Sequence, residues 1–352
     1  MKSIAVIGGA RPNFMKVAPL YHELRKHNIP FVLINAGQHY DPEMSTVFFH
    51  EFGITPDYTL SPSHKGREAQ LKDITSELRD IFIERSPALV VVVGDVNTTL
   101  AATRTAHALA IPVAHIEAGL RSFNSKMPEE YNRVETDKIS SLLFVTEKSG
   151  LKNLRKEGIK QGVFLVGNIM LDTVRLFKKR VQCPQKSPFY FVTLHRAENV
   201  DDKQVFSNIL DALEKIAEDA PLFLPLHHRT RMQAEYFGFS KRLHRTFIIL
   251  PPLSYTEALS YEKYATLVLT DSGGIQEETS FLGTPCITLR TETERPITVE
   301  KGTNVIGGVT TESILRAYRA YKKTGFPRKK VSIPLWDGKA AERIVKELKR
   351  VL

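Results

Sequence analysis

Short apolar runs of strand length alternate with helical patterns along almost the whole chain, and this alternation constrains the fold more than any other feature. Continuous apolar runs are typical of parallel strands that helices cover on both faces. In the first half, the predicted strands cover residues 4–7, 31–34, 89–93, 113–116, 142–145 and 163–166. The predicted helices between them cover residues 17–25, 74–85 and 98–109. The pattern therefore predicts a doubly wound α/β domain.

The same cycle starts again after Lys186, with predicted strands at residues 189–194, 222–225, 247–250, 266–269 and 286–289. Because 352 residues are enough for two buried cores, we predict two Rossmann-like doubly wound domains that face a central cleft. The predicted junction is the stretch 178–188, which contains Pro184 and Pro188. The predicted bounds are residues 1–178 and 179–338, followed by an amphipathic helix at 339–352 that can pack on either domain, including back on the first.

Polar residues collect where the predicted strands end. Ligands of doubly wound sheets bind beyond the carboxyl ends of the strands, so we expect both domains to line one cleft with this edge. The residues concerned are 8–11, 38–39, 94–95, Glu117, 195–196 and Asp271.

The stretch TDSGGIQEE, residues 270–278, follows an apolar strand and opens a helix. We interpret Gly273 and Gly274 as letting the backbone approach a ligand and adopt dihedral angles that a Cβ would forbid. Ser272 is a predicted N-cap, and the N–H groups behind it form an anion site. Glu278, one turn further on, can accept hydrogen bonds from sugar hydroxyls. The combination predicts a nucleotide diphosphate site, although a plain capped helix would use the same residue types.

The turn after the first strand carries cations and no dinucleotide fingerprint. It reads GGARPNFMK, without three spaced glycines, and the second predicted strand ends in AGQH, without an acid. Both features argue against a Rossmann dehydrogenase. Arg11 and Lys16 place positive charge at the start of the first helix, which suits a phosphate. A surface pair beside Pro12 is the alternative interpretation.

Carboxylates form a second constellation. Asp95 follows VVVVG and Glu117 ends VAHIE, so the two are predicted to lie at the ends of neighbouring strands, and Glu129 follows in MPEEYNR. Crowded carboxylates repel one another, which tunes one of them for proton transfer, while Arg121 and Arg133 can hold the others ionised. We interpret the group as acid/base residues. A helix cap is the alternative for Asp95.

His195 ends the apolar run FYFVTL and shares its loop with Arg196 and Glu198. A histidine at such a strand end can hydrogen-bond a departing phosphate or transfer a proton, although a lone histidine is more often structural. His227 and His228 give a weaker signal. No carboxylate stands at ligand spacing from them, so we predict no metal site.

The charge balance favours acidic ligands. Lys and Arg outnumber Asp and Glu by 49 to 39, a net charge of +10. The basic residues are scattered, and the acids at the strand ends would repel a phosphate backbone, so we predict no nucleic-acid partner. No apolar run reaches membrane length, the first strand starts close to Met1, and only two cysteines are present. We therefore expect a soluble cytoplasmic protein without a membrane partner.

Taken together, these segments resemble the non-hydrolysing UDP-N-acetylglucosamine 2-epimerases. The matching pieces span roughly residues 7–305 and read GGARPNFMK, GQH, VVVGDVNTTLA, HIEAGLRS, PEEYNR, VGN with Asp172, TLHRAEN, DSGGIQEE and TERP. The resemblance implies a fold like that of the GT-B glycosyltransferases, with UDP mainly on the second domain and no cofactor. It also implies a homodimer that makes UDP-N-acetylmannosamine for surface polysaccharides.

The resemblance assigns roles to individual residues. Asp95, Glu117, Glu129 and His195 match its catalytic positions. The candidate substrate-binding residues are Arg133 and, at the UDP-binding positions of the family, Arg11, Lys16, Ser272, Gly273, Gly274, Glu278 and Arg295. Arg67 and His227 match parts of an activator site that binds a second UDP-N-acetylglucosamine in bacterial members. The chain departs from the family in GARPN for GTRPE, GDV for GDT and TERPI for TERPE, and none of these changes removes a catalytic group.

The reaction that the resemblance implies is an anti elimination of UDP from UDP-N-acetylglucosamine, which leaves 2-acetamidoglucal. UDP then adds back while a proton reaches C2 from the opposite face. Three alternatives stay open. They are a hydrolysing epimerase that releases UDP and N-acetylmannosamine, a related enzyme for a UDP-uronate or a diacetamido sugar, and a GT-B glycosyltransferase.

Overall fold

The computed structural model describes residues 3–9, 11–37, 48–62, 66–124 and 127–352, and only the backbone of Arg11 and Arg67. The chain divides into two compact units. The N-terminal unit consists of Met1–Leu176 with Pro334–Leu352, and the C-terminal unit of Phe177–Ile333. The predicted residues 38–39 lie outside the described ranges.

The N-terminal unit is built on a parallel sheet whose strands follow the order β3-β2-β1-β4-β5-β6-β7. Runs of β-branched residues such as LVVVV in β4 are fully buried there, as expected for strands with helices on both faces. The strands are β1 Ile4–Gly8, β2 Phe31–Asn35, β3 Tyr58–Thr59, β4 Leu89–Val93, β5 Val113–Ala118, β6 Leu142–Val145 and β7 Val163–Leu165.

The helices of this unit connect successive strands and bury apolar residues against the sheet, as in the cluster of Ile74, Leu78 and Phe82 with the strands β1 and β4. Their bounds are α1 Arg11–Lys26, α2 Arg67–Arg85, α3 Asn97–Ala108, α4 Pro128–Ile139, α5 Lys148–Lys156 and α6 Met170–Phe177.

The C-terminal unit repeats the architecture with the strand order β10-β9-β8-β11-β12-β13. Its strands are β8 Tyr190–Thr193, β9 Leu222–Pro225, β10 Phe247–Leu250, β11 Leu267–Thr270, β12 Cys286–Thr288 and β13 Asn304–Ile306. Its helices are α7 Ala197–Val200, α8 Lys203–Ile216, α9 His228–Phe237, α10 Ser240–Thr246, α11 Tyr255–Tyr264, α12 Gly273–Leu282, α13 Pro296–Glu300 and α14 Thr311–Thr324.

Both sheets confirm the prediction of doubly wound α/β units. Each has a topological switch point, where the strand order reverses, between its first and fourth strands in chain order: β1 and β4 in one sheet, β8 and β11 in the other. The strands β3 and β13 were not predicted, because a two-residue and a three-residue edge strand carry too few residues for a periodic signal.

The last helix, α15 (Ala340–Val351), belongs to the N-terminal unit. The buried carboxylate of Asp172 accepts hydrogen bonds from the backbone N–H groups of Ala340 (3.0 Å) and Ala341 (2.8 Å). These are N–H groups of the first turn, which have no partner within the helix. Asp172, from helix α6, therefore fixes the start of α15 on this unit.

Candidate active site

Asp95 and Glu117 lie at the ends of adjacent strands, as the sequence predicts. Strand β4 pairs with β5, with Val93 opposite Ile116. The chain leaves β4 through Gly94, whose φ of +71° is in the left-handed region that suits glycine. A Cβ built on Gly94 would lie 3.5 Å from Oε2 of Glu117, so the turn that leads to Asp95 passes directly beside the second carboxylate.

Glu117 has an unusual backbone. Its φ is +74°, and the pairing of β5 with β6 shifts register between Ile116 and Ala118. A non-glycine residue in this region costs about 1–2 kcal/mol, and such strain is concentrated at functional sites. The Glu117 side chain is buried, and its Oε2 forms an ion pair with Nζ of Lys16 from helix α1. A cation thus stabilises the ionised form of this carboxylate.

Asp95 is paired with a cation in the same way. The guanidinium of Arg133, in helix α4, contacts Asp95 and also donates to Glu130 at 3.0 Å. The side-chain amide of Asn132 donates to the Asp95 carbonyl at 2.9 Å. Glu129 lies in the first turn of the same helix and is half-buried. Helix α4 therefore brings Arg133 to Asp95 and places Glu129 on the same element.

The start of helix α1 is tied to strand β4 at the switch point. Oδ1 of Asn13 accepts the N–H of Gly9 at 3.4 Å, and Nδ2 of Asn13 donates to the Val93 carbonyl at 3.1 Å. A Cβ on Gly9 would lie 2.3 Å from Oγ1 of Thr98, so only glycine fits there. Asn13, which departs from the family sequence, thus has a structural role beside the predicted phosphate cations. The side chain of Arg11 lies outside the described part of the structure.

In the C-terminal unit, Asp271 holds the loop that carries His195. Asp271 follows β11 and is fully buried. Its Oδ2 accepts the backbone N–H groups of His195 (2.9 Å) and Arg196 (2.8 Å) and the amide of Asn199 (3.2 Å), while its Oδ1 lies 3.2 Å from Nδ1 of His195. The three hydrogen bonds fix the backbone of the His195 loop and bring its ring next to Asp271, at the switch point between β8 and β11.

The helix start at Ser272 corrects part of the prediction. Ser272 occupies the N-cap position of α12, but its hydroxyl makes no capping hydrogen bond, and its N–H donates to Oγ1 of Thr270 at 3.0 Å. Gly273 and Gly274 are helical, so positive φ is not the reason for glycine here. A Cβ on Gly273 would meet no heavy atom within 4 Å. The space beside Gly273 is therefore open, and the approach of a ligand to this helix N-terminus stays a prediction.

Glu278 is buried within a group of hydrogen-bonding side chains. The hydroxyl of Tyr255 donates to Glu278 Oε1 at 2.6 Å, and the carboxyl of Glu262 also hydrogen-bonds to Glu278. Burial raises the pKa of both carboxyls, and for Glu262 the neighbouring Glu278 raises it further. Two carboxyls in contact share a proton more readily than they carry two charges.

Arg295 lies next to helix α12. Its Nε contacts Oε1 of Glu277 at 2.6 Å, and its backbone N–H donates to Oγ1 of Thr293 at 3.0 Å. In the same loop, Arg290 binds Glu294 through two hydrogen bonds, of 2.9 and 3.1 Å. Burial opposes the charge of Glu294, but the Arg290 guanidinium overcomes it and lowers the Glu294 pKa to about 2. The loop therefore holds two arginines at fixed positions beside the helix start.

His227 lies beside His195, with ring centroids 5.3 Å apart. Nδ1 of His227 accepts the N–H of Arg229 at 3.2 Å, which places the proton of the neutral ring on Nε2. Burial, followed by the nearby His195, lowers the His227 pKa. Of Arg67, the other residue assigned to the activator site, the structure describes only the backbone.

Within the described ranges, no three His, Cys, Asp or Glu side chains are grouped closely enough to hold a metal ion. No described helix combines the length and the apolar character needed to cross a membrane.

Sequence reasoning missed three contributors to these sites: the loop-holding role of Asp271, the Asn13 bridge and the buried Glu262. The sequence predicts Asp271 only as a polar residue at a strand end. Each contributor acts on a residue of another secondary-structure element or loop, so spacing alone gives no signal for it. The acid at the switch point of the second sheet was the one clue, because its partner strand ends in His195.

Comparisons with known proteins agree with one another. The family model described as UDP-N-acetylglucosamine 2-epimerase matches residues 22–349. The UDP-N-acetylglucosamine 2-epimerase of Methanocaldococcus jannaschii is 38% identical over 366 residues, covering 98% of both chains. The UDP-2,3-diacetamido-2,3-dideoxy-D-glucuronate 2-epimerase of Pseudomonas aeruginosa is 38% identical over 330 residues, covering 91% of this chain and 92% of the other. The crystal structure of the M. jannaschii enzyme in complex with UDP-GlcNAc and UDP matches with a TM-score of 0.88, at 37% identity and 99% coverage of both chains.

Proposed function

The chain belongs to the UDP-N-acetylglucosamine 2-epimerase family, and we propose that it interconverts UDP-N-acetylglucosamine and UDP-N-acetylmannosamine without releasing free sugar. The observation that supports this most directly is the placement of Asp95 and Glu117 at adjacent strand ends, each ion-paired with a cation. Ionised carboxylates at fixed positions are the groups that proton transfer at a sugar carbon requires.

The chemistry of the substrate explains this requirement. The C2 hydrogen is not next to a carbonyl group, so removing it alone would leave an unstabilised carbanion. In an anti elimination, a base takes the C2 proton as the bond between C1 and the diphosphate oxygen breaks, and UDP leaves with the electron pair. The product is 2-acetamidoglucal. Re-addition of UDP at C1, with a proton delivered to the other face of C2, gives the epimer.

We assign the proton transfers to the N-terminal unit. Asp95, Glu117 and Glu129 are the candidate acid and base groups, and Arg133 and Lys16 stabilise the ionised forms of Asp95 and Glu117. In the proposed reaction these carboxylates also stabilise positive charge that develops at C1 as the diphosphate leaves.

We assign the binding of UDP mainly to the C-terminal unit. The start of helix α12, at Ser272, Gly273 and Gly274, carries the positive end of the helix dipole, and the space beside the Gly273 Cα is open, so this turn suits the diphosphate. Glu278 is the candidate acceptor for ribose hydroxyls, and Arg295 adds positive charge beside the helix start. His195, held by Asp271, is positioned to donate to the departing diphosphate. Arg11 and Lys16 are the candidates from the N-terminal unit for the same diphosphate.

The finer properties implied by family membership are part of the proposal. We propose a cytoplasmic homodimer that supplies UDP-N-acetylmannosamine for surface polysaccharides, with Arg67 and His227 in a site for a second, activating UDP-N-acetylglucosamine. Light scattering coupled to size-exclusion chromatography tests the dimer. A monomer at micromolar concentration would contradict it.

The proposed reaction is tested by incubating the purified protein with UDP-N-acetylglucosamine in deuterated water and following the products by NMR. We expect UDP-N-acetylmannosamine, with deuterium at C2 in each turned-over sugar. Epimerisation without deuterium would contradict the elimination route. Free N-acetylmannosamine with UDP would instead indicate a hydrolysing enzyme.

The Pseudomonas relative makes a second substrate class worth testing, because its identity equals that of the M. jannaschii enzyme. The same incubation with UDP-2,3-diacetamido-2,3-dideoxy-D-glucuronate compares the two classes directly. We expect kcat/KM to be higher for UDP-N-acetylglucosamine. The reverse preference would move the proposal to the uronate, and a requirement for an acceptor sugar would indicate a glycosyltransferase.

A further inference from the structure

A buried ion pair of His115 and Asp137 contacts the backbone next to Asp95 and Glu117, at the ends of strands β4 and β5. Both side chains are fully buried. Nδ1 of His115, in strand β5, lies 2.7 Å from Oδ1 of Asp137, in helix α4. Nε2 of His115 lies 2.8 Å from the carbonyl oxygen of Gly94. The proposed reaction uses neither side chain directly, so their burial together needs another explanation.

Hydrogen bonding determines the charge of the histidine. A carbonyl oxygen can only accept, so Nε2 must carry a proton. The other nitrogen faces Asp137, whose second oxygen accepts from the N–H of Gly119 at 3.0 Å and from Arg121 at 2.8 Å. Those contacts favour the ionised carboxylate, which again can only accept. Both ring nitrogens are therefore donors, and the ring is an imidazolium.

The charge state of Asp137 agrees with this. Burial alone would raise the Asp137 pKa, but His115, then Arg121 and the Gly119 N–H, overcome that effect and lower it. Arg121 in turn binds Glu157 through hydrogen bonds of 2.8 and 2.6 Å. Two cations and two anions are thus joined in one network, in which only Glu157 is partly exposed, and the pairing compensates the cost of removing the buried charges from water.

The network is attached to both strand ends. His115 holds the carbonyl of Gly94, the residue directly before Asp95. Asp137 holds the N–H of Gly119, two residues after Glu117. Gly94 and Gly119 have φ values of +71° and +80°, so both turns use backbone conformations that few other residues adopt. The ion pair therefore fixes the two turns relative to each other.

We propose that His115, held doubly protonated by Asp137, is a positioning residue that sets the Asp95 and Glu117 turns for proton transfer at C2. The role rests on the proposed epimerase function. Neither side chain touches the substrate in this proposal. The pair acts by holding the backbone on either side of the two carboxylates, where an error of about 1 Å can cost roughly 100-fold in rate.

The activity test uses Asp137→Asn and His115→Gln, with His107→Gln as the matched control, because His107 lies exposed on helix α3. Turnover is expressed per UDP-binding site, measured by titration calorimetry, so that misfolded protein does not count. We expect kcat to fall about 100-fold in both variants, with the Kd for UDP within about twofold of the native value. The control should match the native enzyme. A native kcat per UDP site would show that the pair is merely structural and would overturn the proposal.

The charge state is tested on the native protein without any turnover. With ¹⁵N-labelled histidine, we expect one of the 11 histidines to show two slowly exchanging ring N–H protons, because only a buried imidazolium protects both. The signal should disappear in whichever variant folds. Spectra with no such ring would overturn the proposal even if the enzyme is an active epimerase. If the imidazolium is present but the native protein does not epimerise, the proposed function fails while the charge assignment stands.

Discussion

The N-terminal and C-terminal units share one order of their first six strands but build different electrostatics at the strand ends. In the N-terminal unit the carboxylates are paired with cations: Glu117 with Lys16, Asp95 with Arg133, and Asp137 with His115 and Arg121. In the C-terminal unit, Glu278 and Glu262 are packed against each other, and the pKa of each is raised by burial. The helix that carries Glu278 begins at Gly273, where a Cβ would meet no heavy atom within 4 Å.

The difference shows that the doubly wound architecture fixes where a site lies and leaves its charge to the side chains. Cation pairing keeps a carboxylate ionised at neutral pH, which suits a base. Backbone N–H groups at a helix start suit a bound anion. The comparison therefore predicts that substitutions of the N-terminal carboxylates affect chemistry, and that substitutions at the start of helix α12 affect binding.

The largest expected effect is that of Glu117→Gln. Loss of a general acid or base costs about 10²–10⁴-fold, so kcat should fall by about 1,000-fold, with the Kd for UDP unchanged within about twofold. Turnover followed by NMR and calorimetry with UDP measure the two quantities. The exposed Glu84→Gln is the control. A variant that loses UDP affinity but keeps its kcat would contradict the assignment of Glu117 to proton transfer.

The second prediction compares the two units through their helix caps. Asp172 is buried and holds the start of α15, whereas Asp202 is an exposed N-cap of α8 that accepts from Gln204 and Val205. We expect Asp172→Ala to lower the free energy of unfolding by about 2 kcal/mol and Asp202→Ala by about 1 kcal/mol. When the buried carboxylate is removed, water cannot replace it as the acceptor for the N–H groups, whereas at the exposed cap it can. Urea denaturation measures both. Equal losses would show that burial of the cap has no effect.

The third prediction concerns Gly273, the glycine at the proposed diphosphate site. Since Gly273 is helical and a Cβ would meet no atom, Gly273→Ala should leave the melting temperature unchanged or slightly raised. The Kd for UDP should rise about 10-fold, or about 1.4 kcal/mol, because the methyl group occupies space that the ligand needs.

The matched control for this substitution is Gly238→Ala. Gly238 also has open space around it but a φ of +76°. Its substitution should destabilise the fold by about 1 kcal/mol and leave UDP binding unchanged. If Gly273→Ala destabilised the fold in the same way and bound UDP normally, the glycine would serve the backbone and not the ligand.

The smallest expected effect concerns pH. Burial raises the Glu278 pKa to about 7 and raises the Glu262 pKa as well, so the folded state holds these protons more tightly than the unfolded state. That stability is fully present below the ordinary carboxyl value of about 4.3 and is lost as the pH rises through the raised values. When the pH rises from about 5 to about 8, the free energy of unfolding should therefore fall by about 1 kcal/mol less in Glu262→Gln than in the native protein.

Urea denaturation at the two pH values measures this difference. The exposed Glu312→Gln should behave like the native protein. A Glu262→Gln variant with the native pH dependence would show that the pair of carboxyls does not bind a proton in this range.

The strand positions were largely predictable. Strands β4, β6, β9 and β10 begin and end at the predicted residues, and the others that were predicted differ by one or two residues at an end. Buried parallel strands consist of uninterrupted β-branched and aromatic residues, so the signal is local. Helix α1 begins six residues before the predicted Val17, because its first turn is polar and lacks the apolar periodicity used to find it.

The candidate site was predictable in its residue types and less so in its contacts. Spacing after a strand placed Asp95 and Glu117 side by side, and the pairing of β4 with β5 confirms that. The partner of Lys16 was not predictable, because the expected phosphate site gave no reason to place its ammonium group on Glu117, 101 residues away. The contacts of Asp271 with the His195 loop span 75 and 76 residues, and they were not predictable for the same reason.

By itself, the sequence determined the two doubly wound units, the edge of each sheet where polar groups collect, and the family. These depend on periodicity and on short motifs, which are set by neighbours along the chain. Only the tertiary structure decided which ionisable side chains contact each other: Lys16 with Glu117, Arg133 with Asp95, His115 with Asp137, and Glu262 with Glu278. Such pairings depend on burial and on distances of a few ångströms between segments far apart in the chain, and Coulomb and desolvation energies change steeply over that range.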